Sequence, residues 1–157
     1  MGILIDKSDF TGIYELNISI KDKVDEYIEE FEKPILVKLL GSDLFDLFNA
    51  NLVNQIPTDP IYLKLYEPSE DLCSQGMVKM LLGLIYYDYI RDSPRSQGMN
   101  GPVKRTTEVS EPASLDYLAR MYNKSVNTYW AIQNIASNDN TNYPDYSGQY
   151  IKKTSLF

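Results

Sequence analysis

Residues 77–90 constrain the fold most, because their apolar side chains would cover nearly every side of a helix. Only Lys79 and Asp88 interrupt this segment with charge, and it is shorter than the ~18–20 residues that a membrane span needs. A helix of this kind must be covered by other parts of the same chain. We therefore expect a central buried helix over residues 69–92, with Ser69 as its N-cap.

Two glycines on this predicted helix, Gly76 and Gly83, lie seven residues apart and so share nearly one face. Glycine destabilises a helix interior by ~1 kcal/mol relative to alanine. We expect close approach of a neighbouring helix at this face to offset that cost.

Periodic apolar positions and local end signals predict the surrounding helices. Pro34 interrupts the first pattern and either kinks that helix or starts a second one, and Gly41 is a C-terminal cap. The elements together predict an all-α fold, an antiparallel bundle of about four to five helices. Their expected positions are residues 20–40, a short helix after Ser42, a brief helix from Asp59-Pro60 to Glu67, and a last helix from about Pro112 to Ser137.

Segments with little helical periodicity flank and interrupt this bundle. Alternating apolar residues predict an extended N-terminal arm over residues 1–19, either a strand or an arm lying on a surface. The bundle domain covers residues 20–137. It contains a long loop at residues 93–112, where three prolines and two glycines occur, and residues 138–157 form an extended C-terminal tail.

Composition excludes several kinds of catalytic chemistry. The chain has no histidine, which rules out histidine triads, histidine-ligated metals and imidazole pH switches. Its single cysteine, Cys73, lies on an apolar stripe and is predicted to be a small core residue. Asp88 is interpreted as a structural ion pair or a hydrogen-bonded acid. We expect no enzymatic activity, no cofactor and no metal site.

Charge is distributed unevenly along the chain. With 22 acidic and 15 basic residues the net charge is −7, which argues against wrapping nucleic acid with the whole surface. One basic cluster, over residues 91–105, is either a solvated loop or a contact for a partner protein. The acidic face of the first helix is interpreted as solvated and carries Asp22, Asp25, Glu26, Glu29, Glu30 and Glu32.

Tyrosine is in excess, with 13 residues, and several of them lie outside any predicted core. These are Tyr14 in the arm and Tyr143, Tyr146 and Tyr150 in the tail. Because tyrosine is enriched at interfaces, both terminal segments are candidates for packing on another subunit. The alternative is a tail that folds back on its own bundle.

Several short segments of the sequence occur in an order that is typical of one family of proteins. They are Asp9-Phe10-Thr11-Gly12-Ile13-Tyr14, Tyr27-Ile28-Glu29-Glu30-Phe31-Glu32, Leu39-Leu40-Gly41-Ser42-Asp43-Leu44-Phe45, Tyr86-Tyr87-Asp88-Tyr89-Ile90-Arg91-Asp92, Gly98-Met99-Asn100-Gly101-Pro102-Val103, Glu108-Val109-Ser110 and Tyr122-Asn123. In this order they resemble the small helical head-to-tail connector proteins of tailed bacteriophages, also called adaptor or head-completion proteins. The resemblance spans about residues 9–136.

The resemblance implies a non-enzymatic structural protein of the virion, located at the portal vertex and neck and made in the host cytoplasm. It implies a homo-oligomer, usually a dodecameric ring, that binds beneath the portal protein and extends the DNA channel. The ring would offer a platform for tail or further ring proteins. DNA would pass without sequence-specific binding, and no membrane is involved.

The same resemblance suggests three sets of contact residues. Contacts to a neighbouring subunit or the portal would come from Arg95, Lys104, Arg105 and Tyr14. Contacts to an adjacent tail ring would come from Tyr143, Tyr146, Tyr150 and Phe157. The channel wall, where negative charge would let DNA slide, would come from Asp22, Asp25, Glu26, Glu29 and Glu30.

Two alternatives belong to other classes of protein. One is a soluble helical adaptor module unrelated to a virion, which would bind a helix in an exposed apolar groove. The other is a small enzyme using Asp88 and tyrosines, which would require a deep polar pocket around Asp88.

Overall fold

The computed structural model describes residues 2–14, 21–97 and 101–154, with the backbone alone for 21–22, 91–97 and 101–116. This part of the chain is mostly helical, which confirms the all-α fold class. It contains α1 (Lys21–Leu40), α2 (Ser42–Ala50), α3 (Pro60–Tyr66), α4 (Met77–Gln97), α5 (Gly101–Ser137), a hairpin of β1 (Leu52–Val53) and β2 (Ile56–Pro57), and 3₁₀ turns at Lys7–Asp9 and Gly12–Tyr14.

Helix α4 lies at the centre of the bundle, as its apolar sequence predicts. It packs most extensively against the antiparallel helix α5, and it also contacts α1, α3 and the second 3₁₀ turn. Met80, Leu81 and Ile85 on α4 are fully buried. Near the middle of the α4–α5 contact, the rings of Tyr87 and Tyr122 lie 4.5 Å apart.

The start of α4 differs from the prediction. Residues 69–74 form a turn in which the backbones of Ser69 and Ser74 exchange hydrogen bonds of 2.8 and 2.9 Å. Cys73 has φ 58° and Gly76 has φ 92°, and these left-handed conformations prevent a right-handed helix from continuing through them. Cys73 is exposed, so the prediction that it is a core residue is wrong.

The two glycines therefore have different roles. Gly83 lies within α4, and a Cβ there would contact Ser125 Oγ and come within 3.1 Å of Ser125 Cβ on α5. Close approach of a neighbouring helix is confirmed at Gly83. At Gly76 it is not, because this residue precedes the helix and adopts its positive φ in the turn.

The ends of α1 and α3 follow the sequence signals, whereas α2 begins at Ser42, with Gly41 rather than Ser42 at the N-cap position. Helix α1 runs unbroken through Pro34, and Gly41 follows its last residue with φ 86°. Asp59 caps α3 by accepting a hydrogen bond of 3.1 Å from Ile61 N, with Pro60 as the first helical residue.

The bounds of α4 and α5 extend into the region predicted as a long loop. Helix α4 ends at Gln97 and α5 begins at Gly101, before the predicted start near Pro112. Pro102 is the second residue of α5, a position where the missing N–H removes no intrahelical hydrogen bond.

Both terminal segments lie on the bundle. The described part of the N-terminal arm forms 3₁₀ turns rather than a strand, and it buries Leu4, Ile5 and Phe10 in the core. The tail also folds back on its own chain, which was the alternative to packing on another subunit. Within the described ranges, no helix has the length and hydropathy required to cross a membrane.

Gly83→Ala is expected to lower the free energy of unfolding by about 1–3 kcal/mol, because the new methyl group overpacks the α4–α5 contact. Ser125 Oγ is buried without a hydrogen-bond partner among the described residues, so Ser125→Ala alone is expected to cost little. The double variant should recover part of the loss in urea denaturation. Additive effects of the two substitutions would contradict the close contact.

Candidate functional site

The candidate channel-facing residues of α1 lie on a solvent-exposed side of the helix. Glu26, Glu29 and Glu30 are exposed, and their spacing places them on one face. We call these three residues the acidic row. Asp25 is half-buried, and its Oδ2 lies 3.6 Å from Lys7 Nζ of the N-terminal arm. The side chain of Asp22 lies outside the described residues.

Glu32 does not belong to the solvated face, so that prediction is wrong. Its side chain is 1% exposed. Glu32 Oε1 accepts a hydrogen bond from Ile3 N, and Oε2 accepts from Leu4 N at 2.8 Å and Ile5 N at 3.1 Å. One carboxylate therefore satisfies three consecutive backbone donors of the arm.

Opposing effects act on the Glu32 carboxyl. Burial raises its pKa, the three arm N–H groups lower it, and nearby Asp6 raises it, with a net upward direction. A sequence signal for its position exists: Glu32 lies four residues after Ile28 and four before Leu36, both of which are buried. Glu32 therefore lies on the same buried stripe of α1 as these two apolar residues.

Tyr14, a predicted subunit or portal contact, is buried in its own chain. Its ring packs edge-on against Tyr86 of α4, with centroids 6.1 Å apart and an interplanar angle of 77°. Burial also raises the pKa of Tyr14. The contact fastens the second 3₁₀ turn to the central helix.

The predicted tail anchors differ in exposure. Tyr143 is 1% exposed and donates a hydrogen bond of 2.5 Å from its hydroxyl to Ile61 O. Tyr146 is half-buried against the core. Tyr150 is 64% exposed. Phe157 lies outside the described residues.

The tail crosses the end of α1 at close range. Ser147 N donates to Leu40 O at 3.1 Å, and Gln149 N donates to Lys38 O at 2.6 Å. A Cβ at Gly41 would collide with Ser147, so the absent side chain makes room for this crossing. The last carbonyls of α1 thereby gain the partners that helix ends lack.

The tail then runs along α5, held by polar side chains that the sequence analysis did not single out. Trp130 Nε1 donates to Ile151 O at 2.9 Å. The side chain of Asn123 exchanges two hydrogen bonds with the backbone of Thr154, at 3.1 and 2.8 Å. The amphipathic pattern of α5 shows which face of the helix carries Asn123 and Trp130, but it does not show that the tail covers this face.

An exposed aromatic stack marks the outer side of the tail. The ring of Tyr150 stacks on Trp130 with centroids 5.3 Å apart and an interplanar angle of 12°. Lys153 Nζ lies 5.2 Å from the centre of the Trp130 ring. Of the predicted anchors, Tyr150 alone is shown to offer most of its surface to solvent.

The basic candidates are placed by backbone only. Arg95 lies near the end of α4, and Lys104 and Arg105 lie in the first turns of α5. Their side chains are outside the described residues, so no contact is assigned to them. Asp88 is half-buried on α4. It does not line the cavity between the N-terminal arm, α4 and α5, or the groove between residues 69–74 and α5.

None of the family models, curated proteins or solved structures compared with the chain matches it significantly. In the described part of the chain, no three metal-ligating side chains come together as a candidate metal site. The functional interpretation therefore rests on the sequence resemblance and on the residues and contacts of this chain.

Glu32→Gln is expected to lower the free energy of unfolding by about 1–3 kcal/mol, since an amide N–H would face the backbone donors of the arm. Hydrogen exchange at the amides of Ile3, Leu4 and Ile5 should accelerate. The matched control is Glu29→Gln, an exposed glutamate on the same helix. Unchanged exchange at the three amides would show that Glu32 does not hold the arm.

Tyr143 predicts a loss of stability at high pH. Burial, helped by Asp139, raises the pKa of Tyr143 to about 12, against about 10 in the unfolded chain. Between these values the unfolded state binds fewer protons than the folded state, so the free energy of unfolding falls as pH rises, whereas below pH ~10 it is unaffected.

Tyr143→Phe is expected to cost about 0.5–1.5 kcal/mol at neutral pH through the lost hydrogen bond. It should also make the decline above pH ~10 shallower in urea denaturation. Tyr150→Phe, at an exposed position, is the control for both effects. An unchanged alkaline slope in Tyr143→Phe would contradict the assignment.

Proposed function

We propose that this chain is a structural, non-enzymatic subunit of a head-to-tail connector in a tailed bacteriophage. Copies of it would form a ring between the portal and the tail, extend the DNA channel and provide a platform for tail attachment. The proposal is supported by the sequence resemblance and by the helical bundle. The observation that carries it is the acidic row of α1.

The acidic row has the properties that a channel wall requires. Glu26, Glu29 and Glu30 are exposed on one face, while Val24 and Ile28 on the opposite side are buried in the core. Carboxylates along a channel repel DNA phosphates, so the duplex can pass without adhering. The net charge of −7 acts in the same direction.

Closed rings require two different surfaces on each subunit that fit one another. The described residues offer exposed apolar groups at separate places, Val53 and Ile56 on the hairpin and Tyr150 on the tail. The basic cluster at Arg95, Lys104 and Arg105 remains our proposed contact to a neighbour or the portal. The portal vertex and neck of the virion are the proposed location.

A second candidate is a soluble helical adaptor module, and one observation favours it. An open groove of about 1090 Å³ lies between the turn at residues 69–74 and α5. Leu72, which is 41% exposed, and Trp130 line this groove. An amphipathic partner helix is the kind of ligand that such a groove can bind.

A cryo-EM reconstruction of the phage particle that encodes the chain tests the two candidates. A symmetric ring of this bundle between portal and tail is expected, with the acidic row turned toward the channel. A portal vertex without such a ring would reject the connector function and leave the adaptor module as the better account.

Charge reversal tests the role of the acidic row within the particle. The variant Glu26→Lys, Glu29→Lys, Glu30→Lys should assemble but deliver DNA about ten-fold or more less efficiently, because each added cation can bind a phosphate. The control reverses Asp43 and Asp46, which are exposed on α2. Normal infectivity of the α1 variant would exclude this row from the channel wall.

A further inference from the structure

A cavity of about 400 Å³ lies where the N-terminal arm meets α4 and α5. The arm contributes Thr11, Ile13 and Tyr14, and the segment leading into α4 contributes Gln75. This volume lies in the range of small-molecule sites, which are about 300–1,000 Å³.

Two lysines from different helices converge on this cavity. Lys79 of α4 and Lys124 of α5 both line it, and both also line the neighbouring groove of about 1090 Å³. Within the described part of the chain, neither lysine forms an ion pair. On a chain with seven more acidic than basic residues, two unpaired ammonium groups at one cavity form an attractive site for an anion.

Gln75 supplies a third donor. Its Nε2 atom is buried and has no hydrogen-bond partner among the described residues. The backbone N of Gln75 donates to Thr128 Oγ1 at 3.1 Å, which holds the residue at the edge of the cavity. A buried donor without a partner is costly. A turn of the Gln75 side chain toward the cavity, where an oxyanion can accept from Nε2, would remove this cost.

Two residues of the arm that carry hydroxyl groups also line the cavity. They are Thr11 and Tyr14. The lysines and the glutamine amide supply hydrogen-bond donors. The lining is therefore suited to a ligand that carries several acceptors.

Carboxylates in the vicinity do not cancel this charge. Asp9 is the one acidic residue among those that line the cavity, and its Oδ2 accepts a hydrogen bond of 2.8 Å from Asp6 N within the arm. Glu70 and Asp71 line the adjoining groove but not this cavity. Two cations against one anion leave the lining positive.

We propose that this cavity is a binding site for a small organic phosphate ester. Lys79 and Lys124 neutralise its charge, and Gln75 Nε2 donates to one of its oxygens. Val78 and Leu82, which also line the cavity, contact its apolar body. The site is independent of the proposed connector function.

Ligand binding at this site would also fasten the arm. Thr11, Ile13 and Tyr14 form one wall of the cavity and α4 and α5 form the other, so a bound ligand bridges them. A ligand that binds the folded arrangement alone raises stability in proportion to the logarithm of its concentration. Amide protection in the second 3₁₀ turn should rise together with occupancy.

The test titrates the full chain with phenyl phosphate and with inorganic phosphate at constant ionic strength. We expect a saturable rise in melting temperature and a shift of the Gln75 side-chain amide signals in NMR spectra, with phenyl phosphate binding more tightly. Lys79→Gln and Lys124→Gln should each raise the Kd about ten-fold, the loss expected for one charge-assisted hydrogen bond. Lys33→Gln, at an exposed position on α1, is the matched control and should leave the Kd unchanged.

Three outcomes would overturn the proposal. The absence of a saturable response in the wild-type chain would reject the site. A rise in melting temperature that is equal in the wild type and in the Lys79→Gln, Lys124→Gln double variant would be general stabilisation by excluded anions. Equal affinity for the two phosphates would reject an organic ligand.

Discussion

Burial of α4 is the constraint on which the rest of the structure depends. A helix with apolar residues on nearly every side is stable in water if each side is covered. Helix α5 covers one side so closely that Gly83 leaves room only for the Ser125 side chain. Helices α1 and α3 and the ring of Tyr14 cover others. The arm is therefore part of the core.

The backbone polar groups of the two terminal segments are satisfied in different ways. Neither has a strand partner for its backbone over most of its described length, so groups on the helices must satisfy its N–H and C=O groups. At the N-terminus an acceptor, the Glu32 carboxylate, receives three backbone N–H groups. At the C-terminus both donors and acceptors act. Tyr129 Oη and Trp130 Nε1 donate to tail carbonyls at 2.6 and 2.9 Å. The carbonyls of Lys38 and Leu40 accept from tail N–H groups, as does Asn123 Oδ1. The surfaces left for partners are consequently those outside these contacts.

Local patterns predict the helical architecture well, because helix faces and caps are encoded within a few residues. The central helix over residues 77–90 and the Asp59 cap are examples. The hydrogen-bond partners of Glu32 are not encoded in this way, because Ile3 is 29 residues away in sequence. The helical period of apolar residues shows that one face of α1 is covered, but it does not show which segment covers it. The exposed position of Cys73 depends on a left-handed backbone conformation, which no residue type at that point signals. The sequence assigns Glu26 to an exposed helix face. It treats Tyr143 and Tyr150 alike, although Tyr143 is buried and Tyr150 is exposed.

Negative and positive side chains lie in different regions of this molecule, and the shape of each region determines which anions can approach it. The acidic row projects from α1 into solvent, where repulsion of phosphate acts over about a Debye length, ~8–10 Å at physiological salt. Lys79 and Lys124 instead border a cavity of about 400 Å³ enclosed on one side by the arm. A duplex is far wider than such a cavity, whereas a single phosphate group fits it. Under the proposals made here, one chain can repel DNA along one helix and still bind a small anion where α4 and α5 meet the arm.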